Sequence, residues 1–229
     1  MHDVAPPLVS VVMPVRDARQ FLREAIDSIL EQTFSDFELL LIDDFSQDDS
    51  AAICQSYCAA DSRVVLLHNT ERGIIGALNF GIAHARGKLI ARMDADDICE
   101  PDRFARQVRE FERNPAIAVL GTAASLINQS GDTIGELRYE TAPAEIHRAL
   151  LQRSCIIHPS AMMRAESVRR AGGYRNAFLR CEDYDLWLRM AAPDNMANLD
   201  APLLRYRLHE NQVTWDGFEQ RILSELAAV

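Results

Sequence analysis

The chain has 229 residues, 48% of them hydrophobic and 25% charged, with a formal net charge of −10 at pH 7, which excludes a disordered or fibrous protein and suffices for one large core. The negative balance disfavours non-specific nucleic-acid binding. No apolar run approaches the roughly 18 residues that span a bilayer, and the opening M-H-D-V-A-P-P lacks a basic and apolar signal pattern, so a cytoplasmic protein with no nucleic-acid partner is expected.

L-V-S-V-V-M-P-V, residues 8–15, reads as a buried strand ending near Pro14. Asp17 is placed to cap the next helix, on which Phe21, Leu22, Ala25, Ile26, Ile29 and Leu30 share one face. F-E-L-L-L-I-D-D-F-S is a second apolar strand, ending in Asp43 and Asp44, and a helix from about Asp49 to Ala60 follows. Cys54 and Cys58 sit at helical spacing there, better read as small core residues than as a metal pair. The five cysteines form no C-x-x-C pair, and their odd number argues against a complete disulfide framework. R-V-V-L-L-H-N is a third strand, the stretch from Gly73 to Gly87 is helical in period, and K-L-I-A-R-M is a fourth strand.

This alternation predicts an α/β layer with a mostly parallel sheet flanked by helices. Ligands of such sheets bind beyond the carboxyl ends of the strands, and Pro14, Asp43, Asp44, Asp94 and Asp96 fall there. A charged helix from Pro101 to Arg113 comes next. A-I-A-V-L-G-T-A-A-S-L-I, a Q-S-G-D turn and T-I-G-E-L-R-Y predict a hairpin that adds antiparallel strands at the sheet edge. A short helix from about Pro143 to Gln152, a strand at S-A-M-M-R, a Gly172-Gly173 turn, a helix at E-D-Y-D-L-W-L-R-M and a strand at P-L-L-R-Y-R-L-H complete the order. No repeat or linker interrupts it, so a single domain is expected.

The chemistry concentrates in acids. In an extended segment Asp94 and Asp96 point to one side and Asp97 to the other. Two carboxylates at a strand's carboxyl end are hard oxygen ligands for Mg²⁺ or Mn²⁺; a solvated acidic turn accounts for the same letters. Asp43 and Asp44 repeat the arrangement, one acid suited to a base or ribose hydroxyl and the other to tying down the loop at Pro14 and Val15, with helix capping as the plainer alternative. Glu182 and Asp183 open an amphipathic helix, where the unpaired N–H groups and the dipole favour an ionised carboxylate. Such a group serves as a cap or, beside a pocket, as a general base. His158 reads as a structural histidine, and Trp187 and Phe178 read as core. Arg205 and Arg207 lie on one side of a strand just before His209, facing phosphates or pairing with acids.

V-S-V-V-M-P-V-R-D, L-L-L-I-D-D-F-S-Q-D, G-A-L-N-F-G-I-A-H-A-R-G, A-R-M-D-A-D-D, E-D-Y-D-L-W-L-R and Y-R-L-H occur in that order between about Leu8 and Thr214. Together they resemble the family 2 glycosyltransferases with the GT-A fold. The resemblance implies an inverting, metal-dependent transfer of a hexosyl or N-acetylhexosaminyl group from a nucleotide sugar, a UDP-sugar above all, to an acceptor hydroxyl of a glycan or lipid-linked molecule. It implies one domain over residues 1–229, with a nucleotide-sugar half at about 8–100 and an acceptor half at about 101–229, and at most peripheral contact with the inner membrane face. Carried over residue by residue, Pro14 and Val15 line the nucleotide pocket, Asp44 contacts the uracil with Asp43 beside it, and Gly73 and Asn79 belong to the segment passing the nucleoside. Asp94, with Ala95 next to it, stands nearer the ribose. Asp96 is the direct ligand of Mn²⁺ or Mg²⁺, His209 matches a histidine that completes the metal shell in some members, and Asp183 matches the catalytic base. Arg16 departs from the pattern, because an aromatic residue is more usual there.

Rival enzyme classes lack their signatures. An aspartate-nucleophile phosphatase wants D-x-D directly after the first strand, where P-V-R-D stands; G-x-G-x-x-G and G-x-x-x-x-G-K-[ST] are both absent. The remaining alternative is a nucleotide-sugar or glycan-binding module of the same fold without transfer activity.

Overall fold

The computed structural model describes residues 5–191 and 195–210; the ends of the expected 1–229 domain lie outside them. Three parallel strands build the first half: β1 (Val9–Val15), β2 (Phe37–Asp43) and β3 (Val64–His68). β1 and β2 are buried along their whole length, which is why they read as unbroken apolar runs rather than alternating ones. The helix α1 (Leu22–Leu30) turns Leu22, Ala25, Ile26 and Ile29 into one core, and each Leu or Ile among them contributes about 1.5–3 kcal/mol by leaving water. On the opposite side α3 (Ile74–His84) lies close against the sheet, because Gly81 has no Cβ to meet Val12 Cγ1, which would stand 2.5 Å away. The helix α2 (Ser50–Ala60) forms where expected and packs against β3.

Asp17 does not cap α1. The helix begins five residues later with Phe21 at its cap, while Asp17, at φ 48°, accepts a hydrogen bond from Gln47 N at 2.7 Å. Its side chain joins two loops at the sheet's carboxyl edge instead.

The fourth strand β4 (Leu89–Arg92) runs parallel to β1 on the side away from β2. After it come β5 (Ile98–Cys99), α4 (Arg103–Arg113), β6 (Ile117–Ile127), β7 (Thr133–Leu137), α5 (Pro143–Ala149), β8 (Met162–Arg164), α6 (Ala165–Arg170), α7 (Glu182–Ala191) and β9 (Asn195–Arg207). One mixed sheet results, in the order β3-β2-β1-β4-β8-β6-β9-β5, with β7 paired to β6.

The β6–β7 hairpin forms, but it is not an edge addition. β6 sits between β8 and β9 and is buried almost throughout, as its apolar run demands. β9 is longer than the P-L-L-R-Y-R-L-H strand, because the sheet absorbs Asp200 and Ala201 as an irregularity: Thr122 pairs with Leu199 and the next residue, Ala123, with Pro202. Phe178, expected in the core, is 37% exposed beneath the Arg175 guanidinium, whereas Trp187 is fully buried. No helix among the described residues is long and apolar enough to cross a membrane.

Candidate active site

The strand order reverses between β1 and β4, since β2 and β3 extend the sheet to one side and β4 opens the other. Such a switch point leaves a crevice outside the carboxyl ends of the strands. Pro14 and Val15 end β1, Asp43 and Asp44 close β2, and the three aspartates follow β4.

On the β2 side, Asp44 N donates to Val15 O at 2.8 Å, which ties the two strand ends together. The Asp44 carboxylate is buried. It accepts from Gly73 N at 2.9 and 3.1 Å and from Asn69 Nδ2 at 2.8 Å, and Arg16 Nη1 stands 3.7 Å away. Asp44 therefore holds the β3–α3 loop and fixes Gly73 at φ 117°. Asp43 accepts from Ser46 N at 3.3 Å and lies 3.6 Å from His68 Nδ1. The Asn79 amide is occupied as well: Nδ2 donates to Tyr174 O and Oδ1 accepts from Tyr174 N, both at 2.9 Å. Gly173, at φ 67°, makes room for that clamp, because a Cβ there would come within 2.5 Å of Asn79 Oδ1.

Beyond β4 the backbone is no longer extended, so Asp97 does not point away from its neighbours as period-two alternation predicts. Oxygens of Asp94, Asp96 and Asp97 all lie within 4.8 Å of one another. Each carboxylate has its own cationic or N–H partner. Arg92 forms an ion pair with Asp94, His209 Nε2 stands 2.9 Å from Asp96 Oδ2, and Arg207 N donates to Asp97 Oδ1 at 2.9 Å. β9 brings the last two residues here, through its antiparallel pairing with β5. Arg207 is no phosphate ligand in this arrangement. Its guanidinium is buried against Glu24 at 2.5 Å, Asp96 O at 2.7 Å and the Phe21 ring, while Arg205 donates to Gly131 O at 2.7 Å.

Burial pushes the Asp97 carboxyl well above its ordinary range, and the charges of Asp96 and Asp94 add to the shift. Burial raises Asp94 too, against the pull of Arg92. Asp97 Oδ2 is buried without a hydrogen-bond partner among the described residues. An unsatisfied buried oxygen among three converging carboxylates fits a hard divalent cation, so the residues present suit Mn²⁺ or Mg²⁺.

The start of α7 is electrostatically coupled to this cluster, since Arg92 acts on Asp183 and Glu182 on Asp94. Asp183 is partly buried, and desolvation raises its carboxyl to about 6 despite hydrogen bonding from the Tyr184 N–H. The loss of hydration thus exceeds what the Tyr184 and Asp183 N–H groups and the charge of Arg92 return, yet at about 6 the carboxyl is still mostly ionised at pH 7, as a helix start favours. Asp185 accepts from Arg189 Nη2 at 2.8 Å and from Arg175 Nε at 3.0 Å, and Arg189 Nη2 also donates to Gly173 O at 2.7 Å. These bonds fix the turn leading into Asp183. His158 is structural, as read, with Nε2 2.7 Å from the Tyr174 hydroxyl.

Sequence reasoning missed Arg92, although a charge inside an apolar strand two positions before Asp94 was a readable signal. It also missed Tyr174, which nothing in its local pattern marks.

A family model described as Glycosyl transferase family 2 matches residues 10–172. The chain is 35% identical over 207 residues to the O-antigen biosynthesis glycosyltransferase WbnJ of Escherichia coli, covering 88% of this chain and 80% of that protein. It is 35% identical over 188 residues to the putative glycosyltransferase EpsE of Bacillus subtilis, covering 80% and 66%. Among solved structures, residues 1–349 of S. aureus TarS with UDP-GlcNAc superpose with a TM-score of 0.76 at 17% identity, covering 91% of this chain and 61% of that one. The mannosyltransferase PcManGT of Pyrobaculum calidifontis with GDP-Man and Mn²⁺ gives 0.68 at 19% identity, covering 98% and 64%. The chain thus spans about three fifths of these solved chains, and the likeness bears out the expected GT-A fold.

Proposed function

Because the chain belongs to glycosyl transferase family 2, we propose that it is an inverting, metal-dependent transferase moving a hexosyl or N-acetylhexosaminyl group from a nucleotide sugar, a UDP-sugar in the first place, to an acceptor hydroxyl in glycan, polysaccharide or glycolipid synthesis. The observation that carries this reading is the convergence of Asp94, Asp96 and Asp97 at the sheet's switch point, with Asp183 near enough to feel the charge of Arg92, the partner of Asp94. Pro14, Val15, Asp43, Asp44, Gly73, Asn79, Asp94 and Ala95 form the nucleotide side of the proposed site. Asp43, Asp44 and Asn79 act there mainly by fixing the loops. The name of WbnJ, the nucleotide sugars bound to the two solved relatives and the Mn²⁺ of PcManGT all support the assignment.

Asp94 and Asp96, with Asp97 and His209 beside them, would hold Mn²⁺ or Mg²⁺, whose charge stabilises a departing diphosphate. Asp183 accepts the proton of the acceptor hydroxyl. The acceptor oxygen bonds to the anomeric carbon, the bond from that carbon to the diphosphate breaks, and the electron pair leaves with the nucleoside diphosphate. Attack opposite the leaving group inverts the configuration. A carboxyl raised to about 6 suits this role, since a base works best with a pKa close to the operating pH. A cytoplasmic location, with at most peripheral contact at the inner membrane face, belongs to the same proposal.

The test is turnover of a panel of labelled sugar nucleotides with Mn²⁺, scored for transfer to added glycans or slow hydrolysis to free sugar. Tight nucleotide binding without turnover of any donor would point to a non-catalytic binding module of the same fold.

A further inference from the structure

Two exposed side chains stand at the carboxyl edge of β1 and β2. Arg16 follows Val15 directly, and its side chain is 44% exposed. Its closest acid is Asp44 at 3.7 Å, with Asp17 at 4.0 Å, and none of its five N–H donors makes a hydrogen bond among the described residues. Phe45 follows Asp44 directly. It is 43% exposed and sits at φ 59°, a left-handed conformation that suits glycine and is an outlier for a bulky residue. The fold thus bears both a strained backbone and a solvated aromatic ring at one position, and strain of this kind clusters at functional sites.

We propose that Phe45 and Arg16 together recognise the base of the donor nucleotide, Phe45 as the stacking surface and Arg16 as the reader of a carbonyl oxygen on the base edge. The proposal rests on the reading of this edge as the nucleotide site. Asp44 cannot easily serve as the reader, for its side chain is 4% exposed and its oxygens already accept from Gly73 and Asn69. Its charge instead holds the guanidinium of Arg16 near the strand ends. An aromatic face accepts any base, so Phe45 supplies affinity with little selectivity. A guanidinium only donates, so Arg16 favours bases that carry a carbonyl oxygen, uracil and guanine before cytosine with its single O2, over adenine, which has none.

Calorimetry with Mn²⁺ on the full chain, using uridine, guanosine, cytidine and adenosine diphosphates and inorganic pyrophosphate, tests both roles. Phe45→Gly is expected to weaken every nucleoside diphosphate about tenfold and leave pyrophosphate unchanged, while its urea midpoint rises because the strain is gone. Arg16→Met is expected to cost uridine or guanosine diphosphate about tenfold and to bring the four nucleotides close to equal affinity. Unchanged nucleotide affinity in Phe45→Gly overturns the stacking role. Equal losses for pyrophosphate and nucleotides in Arg16→Met make Arg16 a phosphate contact and overturn the base-reading role. Absence of nucleoside diphosphate binding to the unmodified chain removes the nucleotide-site reading itself, and this inference with it.

Discussion

The guanidinium of Arg92 closes on the carboxylate of Asp94 at the end of a buried strand, so the acid cluster carries a built-in cation. Arg92 is buried, and its Nε has no hydrogen-bond partner among the described residues. The backbone beneath it is fastened by Arg103, whose Nη2 donates to Arg92 O at 2.9 Å.

Arg92→Met should therefore destabilise the fold, because it leaves Asp94 among like charges with no counter-ion. Removing one member of a buried pair costs about 3–5 kcal/mol, and the partial exposure of Asp94 lowers the expectation to about 2–3 kcal/mol. Urea unfolding at pH 7 measures it, and a loss below about 1 kcal/mol would show that water already screens the pair.

Asp96→Ala should abolish the Mn²⁺-dependent part of nucleotide affinity and leave the unfolding midpoint nearly unchanged, since the Asp96 side chain is partly exposed and bonds only His209 among the described residues. Titrating nucleotide with and without Mn²⁺ reads the difference. Full metal-dependent binding in the variant would place the ion elsewhere.

Asp183→Asn is nearly isosteric but accepts no proton. Transfer should fall by roughly 10²- to 10⁴-fold, the usual worth of general-base catalysis, with donor affinity preserved. Near-normal transfer would move the base to Glu182, whose Oε2 is buried without a hydrogen-bond partner among the described residues. Loss of donor binding would make Asp183 a structural cap.

The same carboxyl sets a pH dependence. Its value of about 6 in the folded chain exceeds the ordinary 3.8, so transfer should rise with pH through about 6 as the base ionises. For stability the sign is opposite. The folded chain holds this proton more tightly than the unfolded chain, so stability falls as pH rises from about 4 to about 6. Asp183→Asn should then be more stable than the parent by about 1–2 kcal/mol at pH 7, a difference that fades toward pH 4. Parallel denaturation curves at both pH values decide it, and equal stabilities at pH 7 would contradict the raised value.

Asn79→Ala removes both hydrogen bonds that clamp Tyr174. The turn entering α7 should loosen, and the transfer rate should fall more than donor affinity. A variant with weakened nucleotide binding and normal turnover at saturation would instead put Asn79 in the nucleotide pocket.

Local sequence determined much of this protein. The apolar runs of β1, β2 and β4, the single-faced α1 and the acids after each strand follow from side-chain periodicity and from strand ends that leave buried surroundings for water. Those features suffice for an α/β sheet with its site at the carboxyl edge. The partners of the acids were not legible, because they come from strands distant in sequence. Only the pairing of β9 with β5 brings Arg207 and His209 to Asp97 and Asp96, across more than a hundred residues. The interior place of β6 and the full length of β9 likewise depend on sheet order, which local periodicity does not encode. The position of the Asp183 titration was not legible for a related reason: a helix start favours the charge, but tertiary packing sets how much water reaches it, and desolvation raises the carboxyl to about 6 while leaving it mostly ionised at pH 7.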